Sequence, residues 1–232
     1  LEDAEFMWGF NHTTETQLTY VSFSSHMSND CLGYAGLDQP AKLIDRSLYD
    51  QISKTDYRKS LFNGPEGDKT ASADTPGAAR PYASRKFGFM AQWLQDYIYM
   101  RASEMVLIEA ESYARLGDGA KAASVLGELM AKRDIAWKSA SVTVDDVLLQ
   151  RRIELWGEGH GYYDLRRNGK GIDRNYEGTN HTPANRIKVP AHDNLWWFQL
   201  PLKEITENDM ISEDEQNPWT KKQDDDKDDK EN

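Results

Sequence analysis

The sequence predicts an α+β protein that is predominantly helical, and three patterns lead to this fold class. Apolar residues recur at helical spacing across residues 98–156. Residues 5–10 and 18–23 are rich in aromatic and β-branched side chains, which predicts short strands. Residues 24–40 and 63–84 have the Gly, Pro, Asp and Ser content that is typical of irregular loops.

Composition limits the classes of protein to which this sequence can belong. The chain has 232 residues, of which 38% are hydrophobic and 29% are charged, so it can bury a substantial core. A formal net charge of -11 argues against non-specific binding to nucleic acid, and the apolar runs are too short to cross a bilayer. Cys31 is the only cysteine, which excludes an internal disulfide.

The two ends of the chain differ from its middle. The sequence begins without Met and without a targeting segment, so we expect it to be part of a longer protein. Residues 221–232, KKQDDDKDDKEN, are expected to form a disordered acidic tail. Residues 1–220 are then one domain, with a loop-rich part over residues 1–97 that is the candidate for ligand binding and a helical part over residues 98–220.

Two helices joined by a short turn are predicted from residue 98 onward. Gly117 is placed to end the first helix as a C′ glycine, and Asp118 is placed to cap the second. Apolar positions in the pair resemble those of a tetratricopeptide repeat, although only one copy is present and about three are needed for a stable stack. The positions with this likeness are Ala110, Tyr113, Gly117, Ala122, Leu126 and Leu129.

Two other helices have weaker or more local signals. Residues 40–52 predict a short helix. Thr143, followed three residues later by Asp146, is a capping box that predicts the start of a helix running from about Val144 to Trp156. Gly157 is expected to end that helix.

Four ordered segments resemble the C-terminal half of the SusD/RagB family of outer-membrane nutrient-binding lipoproteins of Bacteroidetes. They read RASEMVLIEAESYARLGD, QRRIELWGEGHGYYDLRRNG, WWFQLPLKEITEND and QNPW. Two positions depart from the family pattern, since Gln150 stands where Glu is usual and Gly161 where Arg is common. The matching positions are Arg101, Glu104, Leu107, Ala110, Glu111, Arg151, Arg152, Glu154, Leu155, Glu158, Gly159, Asp164, Leu165, Arg167, Pro201, Glu204, Ile205, Asn208, Asn217 and Pro218.

The resemblance implies a SusD-like fold, with a tetratricopeptide-like hairpin, and a function in nutrient uptake. Family members are not enzymes and bind oligosaccharides or other nutrients at the cell surface. They work with a SusC-like, TonB-dependent outer-membrane transporter. The resemblance further implies a lipid anchor in a missing N-terminal half and a location in the outer membrane, facing outward. Two other functions stay open: a tetratricopeptide-type protein-interaction module and, less favoured, a glycoside hydrolase.

Residues 151–167, RRIELWGEGHGYYDLRR, concentrate charge around glycines and aromatics. Glu154 and Glu158 lie four apart on a helix, so they could form a glycosidase-like carboxylate pair. We favour a structural ion network instead, because buried charges must be paired and arginine binds carboxylates through two parallel hydrogen bonds. The expected members are Arg151, Arg152, Glu154, Glu158, Asp164 and Arg167.

The candidate ligand contacts lie in two loops, residues 24–40 and 78–86. Sugars bind by laying an apolar ring face on an aromatic side chain while polar groups hold the hydroxyls. The expected contacts are His26, Asn29, Asp30, Tyr34, Arg80 and Tyr82. Five tryptophans in regular segments are expected in the core instead: Trp8, Trp93, Trp156, Trp196 and Trp197.

No other chemistry is indicated by the sequence. The five histidines are scattered and form no HExxH motif, so we expect no metal site. There is no P-loop, no G-x-S-x-G and no dinucleotide fingerprint, so we expect no cofactor and no catalytic residues.

Overall fold

The computed structural model of the chain describes residues 3–19, 22–30, 41–75, 77–88 and 94–218. Tyr34, Trp93 and the acidic tail at residues 221–232 lie outside these residues. The described residues form seven α-helices and four short strands, which confirms the predicted α+β class with mainly helical structure. The chain divides between Gly161 and Tyr162 into two compact units.

The first unit contains an antiparallel pair of strands, β1 (Phe6–Phe10) and β2 (Tyr97–Arg101), which we call the aromatic ribbon. The strand predicted at residues 5–10 is confirmed. The prediction for residues 97–101 is wrong, because cross-strand pairing with β1 makes a strand of the segment that we expected to begin a helix. The strand predicted at residues 18–23 is wrong at its end, where Phe23 begins helix α1 (Phe23–Met27).

The helices of the first unit begin and end at local signals. Helix α2 (Arg46–Gln51) is capped by Asp45, which accepts from the backbone N–H of Ser47 at 2.9 Å. Helices α3 (Ala102–Arg115) and α4 (Gly119–Met130) pack together as the predicted hairpin.

The turn of this hairpin has the expected chemistry. Gly117 has a φ of 83°, as a C′ glycine requires, and the side chain of Asp118 accepts from the N–H of Lys121 at 2.9 Å. Helix α5 (Val144–Glu154) begins with the predicted capping box of Thr143 and Asp146.

The second unit has little regular structure. Strands β3 (Ile172–Asp173) and β4 (Lys188–Val189) pair antiparallel, and α7 (Leu202–Glu207) follows them. Helix α6 (His160–Arg167) contains the point at which the two units divide. The longest described helix, α3, has 14 residues, and no helix in the described part of the chain has the length and apolar character that a bilayer crossing requires.

Two hydrophobic clusters form the core of the first unit, and the end of α5 joins them. One cluster surrounds the α3–α4 hairpin and includes Leu107, Leu126 and Leu155. The other packs α2 against Ile153. Glu154 lies between Ile153 and Leu155 in sequence. Its carboxylate therefore lies between the two clusters.

The carboxylate of Glu154 is bound by three guanidinium groups. Arg58 donates to Oε2 at 3.0 Å and Arg101 donates to Oε1 at 2.7 Å. Arg133 donates through Nε at 3.1 Å and through Nη2 at 3.0 Å. The side chains of Glu154 and Arg58 are only 4% and 2% exposed. Burial by itself would raise the pKa of Glu154, but hydrogen bonds from Arg133 and Arg101 lower that pKa to about 2.

Arg58 and Arg133 each bind a second carboxylate as well. Arg58 donates to Asp56 Oδ2 at 2.6 Å and to Gln150 Oε1 at 2.6 Å. Arg133 donates to both carboxylate oxygens of Glu5 at 3.1 Å. The neutral Gln150, which replaces the Glu usual in the family pattern, therefore supplies an acceptor without adding a negative charge.

The third arginine extends the cluster toward Glu158. Arg101 donates to Glu158 through Nη2 at 2.8 Å and through Nε at 3.0 Å. Lys86 forms a short ion pair with the same carboxylate and donates to the carbonyl oxygens of Glu154 and Trp156 at 2.8 and 2.9 Å. The Glu154 cluster thus pairs four cations with four carboxylates: Arg58, Lys86, Arg101 and Arg133 with Glu5, Asp56, Glu154 and Glu158.

Other residues that we expected in an ion network lie elsewhere. Arg151 is buried, with Nη2 4.0 Å from Glu104 Oε1. Arg152 follows Arg151 on the helix and therefore points in a different direction, into solvent. Contrary to our expectation, it forms no ion pair with any residue that the structure describes. Asp164 and Arg167 pair with each other in the second unit at 2.7 Å.

Replacing Glu154 by Gln should destabilise the protein by about 3–5 kcal/mol, the range observed when one partner of a buried ion pair is removed. The physical reason is that three guanidinium groups would remain buried without a full counter-charge. Urea unfolding measures the loss. The matched control is Arg152→Ala on the same helix, which should change the unfolding free energy by less than roughly 0.5 kcal/mol. If Glu154→Gln and Arg152→Ala lowered the unfolding free energy equally, the buried ion pairs of Glu154 would not be the main source of stability here.

The same carboxylate should make stability depend on acid pH. A pKa lowered from 4.5 to about 2 contributes stability that is present above the unfolded value and is lost as the pH falls toward the folded value. Unfolding free energy should therefore fall by about 3 kcal/mol between roughly pH 5 and pH 2. Urea titrations across this window, compared with Glu154→Gln, isolate the contribution. A variant with the same acid slope as the parent would disprove the assignment to Glu154.

Candidate functional site

A cavity of about 670 Å³ opens beside the aromatic ribbon in the first unit. Three segments build it: both strands of the ribbon, the start of α1, and residues 86–88. Its volume lies in the range of small-molecule sites. The lining residues are Glu5, Phe6, Phe23, Ser24, Lys86, Phe87, Gly88, Gln95, Asp96, Tyr97, Ile98, Tyr99, Arg101 and Glu158.

The ribbon presents an aromatic pair to solvent next to this cavity. The rings of Trp8 and Tyr99 lie 5.0 Å apart across the two strands, and the residues are 62% and 51% exposed. Our expectation that Trp8 belongs to the core is wrong. The signal that could have located this surface is the alternation of aromatics in each segment, since side chains two apart on a strand share a face.

The opposite wall is built from two phenylalanines. Phe23 on α1 packs edge-on against Phe87 at 5.5 Å and against Tyr97 at 5.9 Å. The backbone of Gly157 lies so close to this wall that a Cβ added there would be 2.6 Å from the Phe87 ring. Helix α5 ends at Glu154, before the expected glycine, and Gly157 is needed for the position of Phe87.

The floor of the cavity is the outer edge of the Glu154 cluster. Lys86, Arg101 and Glu158 belong to both. Burial lowers the pKa of Lys86, although the nearby Glu158 carboxylate acts in the other direction. Together with Glu5 and Asp96, the lining contains two cations and three carboxylates, so it offers no excess positive charge to an acidic ligand.

Polar groups at the end of the ribbon are unevenly satisfied. Asp96 Oδ1 accepts from the side chain of Asn11 and from the N–H of His12, both at 3.0 Å. Among the described residues, neither the buried carboxamide nitrogen and oxygen of Gln95 nor the buried Nε2 of His12 has a hydrogen-bond partner. Gln95 is one of the residues that line the cavity, whereas His12 is not among them.

The structure brings the two predicted ligand loops together. The carboxamide of Asn29 donates to the carbonyl oxygens of Lys42 and Ser84, at 2.9 and 2.8 Å, and accepts from the N–H of Lys42 at 2.9 Å. These bonds join residues 22–30 to residues 82–88, and Ser24 and Lys86 from the same two segments line the cavity.

The predicted contacts differ in their accessibility. Asp30 and Arg80 are exposed, whereas His26 is half-buried with Nδ1 2.8 Å from the carbonyl oxygen of Ser22. Tyr82 is only 8% exposed and packs in the core against Tyr49. Ligand contact by these residues and by Tyr34, which lies outside the described residues, stays a prediction.

The second unit has an aromatic surface of its own. Tyr162 packs against Trp196 and Phe198 with ring centroids 5.8 and 5.0 Å apart, and Arg166 lies over the ring of Trp197 at 4.8 Å. Trp196 is buried as expected. Trp197 is 48% exposed, so its expected place in the core is wrong.

The carboxylates near the cavity are arranged for pairing rather than for acid catalysis. A general acid needs a raised pKa near neutral pH, whereas the pKa of Glu154 is lowered to about 2. Glu158, the other member of the carboxylate pair considered from sequence, is held by Arg101 and Lys86. Across the described residues, no group of three or more His, Cys, Asp and Glu side chains is placed to hold a metal ion.

Comparisons with known proteins agree on one family. The family model described as the SusD family matches residues 91–219, which is more than half of the chain. No curated protein matches the chain.

Solved structures with the same fold cover almost all of the chain. A SusD superfamily protein from Bacteroides vulgatus is 24% identical, has a TM-score of 0.73, and aligns over 95% of this chain and 47% of its own length. A SusD-like carbohydrate-binding protein from the same species is 23% identical with a TM-score of 0.65, over 93% and 49%. Surface glycan-binding protein A from Bacteroides uniformis is 21% identical with a TM-score of 0.59, over 93% and 49%.

The chain spans about half the length of these structures. The motifs that suggested the family from sequence, from Arg101 to Pro218, lie within the matched residues. The chain belongs to the SusD family.

Proposed function

We propose that this chain is the C-terminal half of a cell-surface glycan-binding protein that captures oligosaccharides for import by a SusC-like, TonB-dependent outer-membrane transporter. The protein would be anchored in the outer membrane by a lipid on the upstream half and would face outward. Membership of the SusD family supports this proposal. Two of the similar solved structures are of proteins described as carbohydrate-binding or glycan-binding.

One observation carries the proposal: the exposed pair of Trp8 and Tyr99, of which Tyr99 lines a cavity with aromatic walls. Two large aromatic side chains in contact form a broad apolar surface that is exposed to water. Such surfaces are typical of binding sites. The ring faces of sugars are apolar, while their edges carry hydroxyl groups. An aromatic surface can therefore contact the ring face of a saccharide while the neighbouring polar and charged groups bind its hydroxyls.

Binding without catalysis is the second part of the proposal. The charged residues beside the cavity are bound to one another through the Glu154 cluster, so they are restrained as structural groups. A glycoside hydrolase needs one carboxylic acid that stays protonated near neutral pH. The lowered pKa of Glu154 is opposite to that requirement.

Removing the exposed aromatic pair should weaken glycan binding while leaving the fold largely intact. An aromatic contact is worth about 0.5–1.5 kcal/mol beyond its area, so Trp8→Ala or Tyr99→Ala should weaken binding by roughly 2- to 10-fold. Isothermal titration with neutral gluco-, xylo- and mannohexaoses, chosen after a glycan-array screen, measures the change. Thermal unfolding of each variant reports the fold.

The matched control is Tyr163→Ala, another exposed aromatic, which lies in the second unit. It should leave affinity unchanged. The proposal fails if no saccharide on the array binds the parent chain. If Trp8→Ala and Tyr163→Ala have the same effect, the ribbon is not the platform.

The two predicted loops supply a second test. We propose that the exposed side chains of Asp30 and Arg80 contact the glycan, so replacing either by Ala should lower affinity several-fold without changing the melting temperature. Asn29→Ala and Tyr82→Ala should instead lower stability, because their side chains join backbone segments and fill the core. Titration and thermal unfolding on the same four variants separate the two effects. Unchanged affinity in both exposed-residue variants would exclude these loops as contacts.

A further inference from the structure

We infer that Trp8 makes this chain selective for the length of its oligosaccharide ligand, because the Trp8 ring contacts only sugar units that extend beyond the cavity beside the aromatic ribbon. This inference rests on the proposed glycan-binding function and deepens it in two ways. The ligand is a linear oligosaccharide longer than the part that the cavity holds, and Trp8 is the residue that recognises the added length.

The Trp8 ring and the cavity are two parts of one surface. Trp8 is 62% exposed and is not among the residues that line the cavity. Tyr99 connects the two parts, because it lines the cavity, is 51% exposed and has its ring 5.0 Å from that of Trp8. A ligand that contacts Trp8 as well as the cavity must therefore be longer than one that only fills the cavity.

Inside the cavity the aromatic surface continues from Tyr99 through three more rings. The ring of Tyr97 lies 6.5 Å from that of Tyr99, and Phe23 lies 5.9 Å from Tyr97. Phe87 follows at 5.5 Å from Phe23, and all four of these residues line the cavity. Each ring from Trp8 to Phe87 thus contacts the next, so apolar surface is available to more than one sugar unit.

The rings are held in place by bonds within the protein. The hydroxyl of Tyr97 accepts from the backbone N–H of Phe23 at 3.0 Å, which joins α1 to the ribbon. Arg101, at the end of β2, donates to the buried Glu154 at 2.7 Å. A surface that is already ordered loses little conformational entropy when a ligand binds, so contact with one more ring adds to the affinity.

Size and charge define the ligand for the two parts. A volume of about 670 Å³ lies in the range for small molecules, so the cavity holds a short oligosaccharide. Two cations and three carboxylates line the cavity, which favours neutral sugars over acidic ones. Outside the cavity, the Trp8 ring offers apolar surface to the ring face of the next unit.

The decisive experiment is isothermal titration with one array-selected neutral oligosaccharide, supplied as a linear series from disaccharide to hexasaccharide. In the parent chain, affinity should rise by roughly 2- to 10-fold once the ligand extends past the cavity, which is the gain that one aromatic contact supplies. Trp8→Ala should lose this rise. It should bind the shortest ligands as tightly as the parent, because Trp8 does not line the cavity, and this result also shows that the cavity is intact.

Two further variants separate Trp8 from the rest of the surface. Phe23→Leu keeps an apolar side chain in the cavity wall and removes its ring, so it should weaken every member of the series by a similar factor and preserve the dependence on length. The matched control is Met7→Ala on the same strand as Trp8, where the side chain is also exposed and does not line the cavity. It should change neither affinity nor length dependence, and thermal unfolding of each variant reports the fold.

The outcomes distinguish this inference from the proposed function. If the parent binds the disaccharide and the hexasaccharide equally, or if Trp8→Ala weakens all lengths by the same factor, length selection by Trp8 is overturned and glycan binding stands. Loss of the length dependence in Met7→Ala would also overturn it, because the effect would belong to the ribbon as a whole. If no saccharide on the array binds the parent, the proposed function itself fails.

Discussion

The burial of one carboxylate, Glu154, is the constraint on which the first unit depends. It lies between two hydrophobic clusters, where an unpaired charge would be too costly to keep. Three arginines from three separate segments converge on it, and each is itself neutralised or hydrogen-bonded further out. A balanced set of charges thus replaces part of an apolar core and fixes the relative positions of the segments that carry the arginines.

The same cluster also shapes the cavity beside the aromatic ribbon. Lys86, Arg101 and Glu158 close the cluster on one side and form the floor of the cavity on the other. Arg101 is the last residue of β2 and Glu5 directly precedes β1, so each strand of the ribbon is attached to the buried charges through one side chain. The proposed binding surface therefore rests on the same buried ion pairs that stabilise the first unit.

Hydrogen bonding differs between the Glu154 cluster and the end of the aromatic ribbon. The backbone oxygen and both carboxylate oxygens of Glu154 accept hydrogen bonds, whereas the carboxamide of Gln95 has no partner among the described residues. The rings of Trp8 and Tyr99 are likewise apolar groups that remain exposed to water. Buried polar groups without partners and exposed aromatic rings both oppose the stability of the free chain.

The sequence by itself determined the α3–α4 hairpin, helices α2 and α5, the caps of α4 and α5, and the family, because these depend on short-range signals. Thr143 and Asp146 interact within one turn, and Gly117 adopts a positive φ that other residues resist. Tertiary structure alone decided which charges meet and which aromatics stay exposed. Arg58 lies 96 residues from Glu154 and Arg133 lies 128 from Glu5, so no local pattern predicts either pair. Strand pairing likewise made residues 97–101 part of a ribbon against their helical periodicity, since cross-strand hydrogen bonds outweighed a weak local preference.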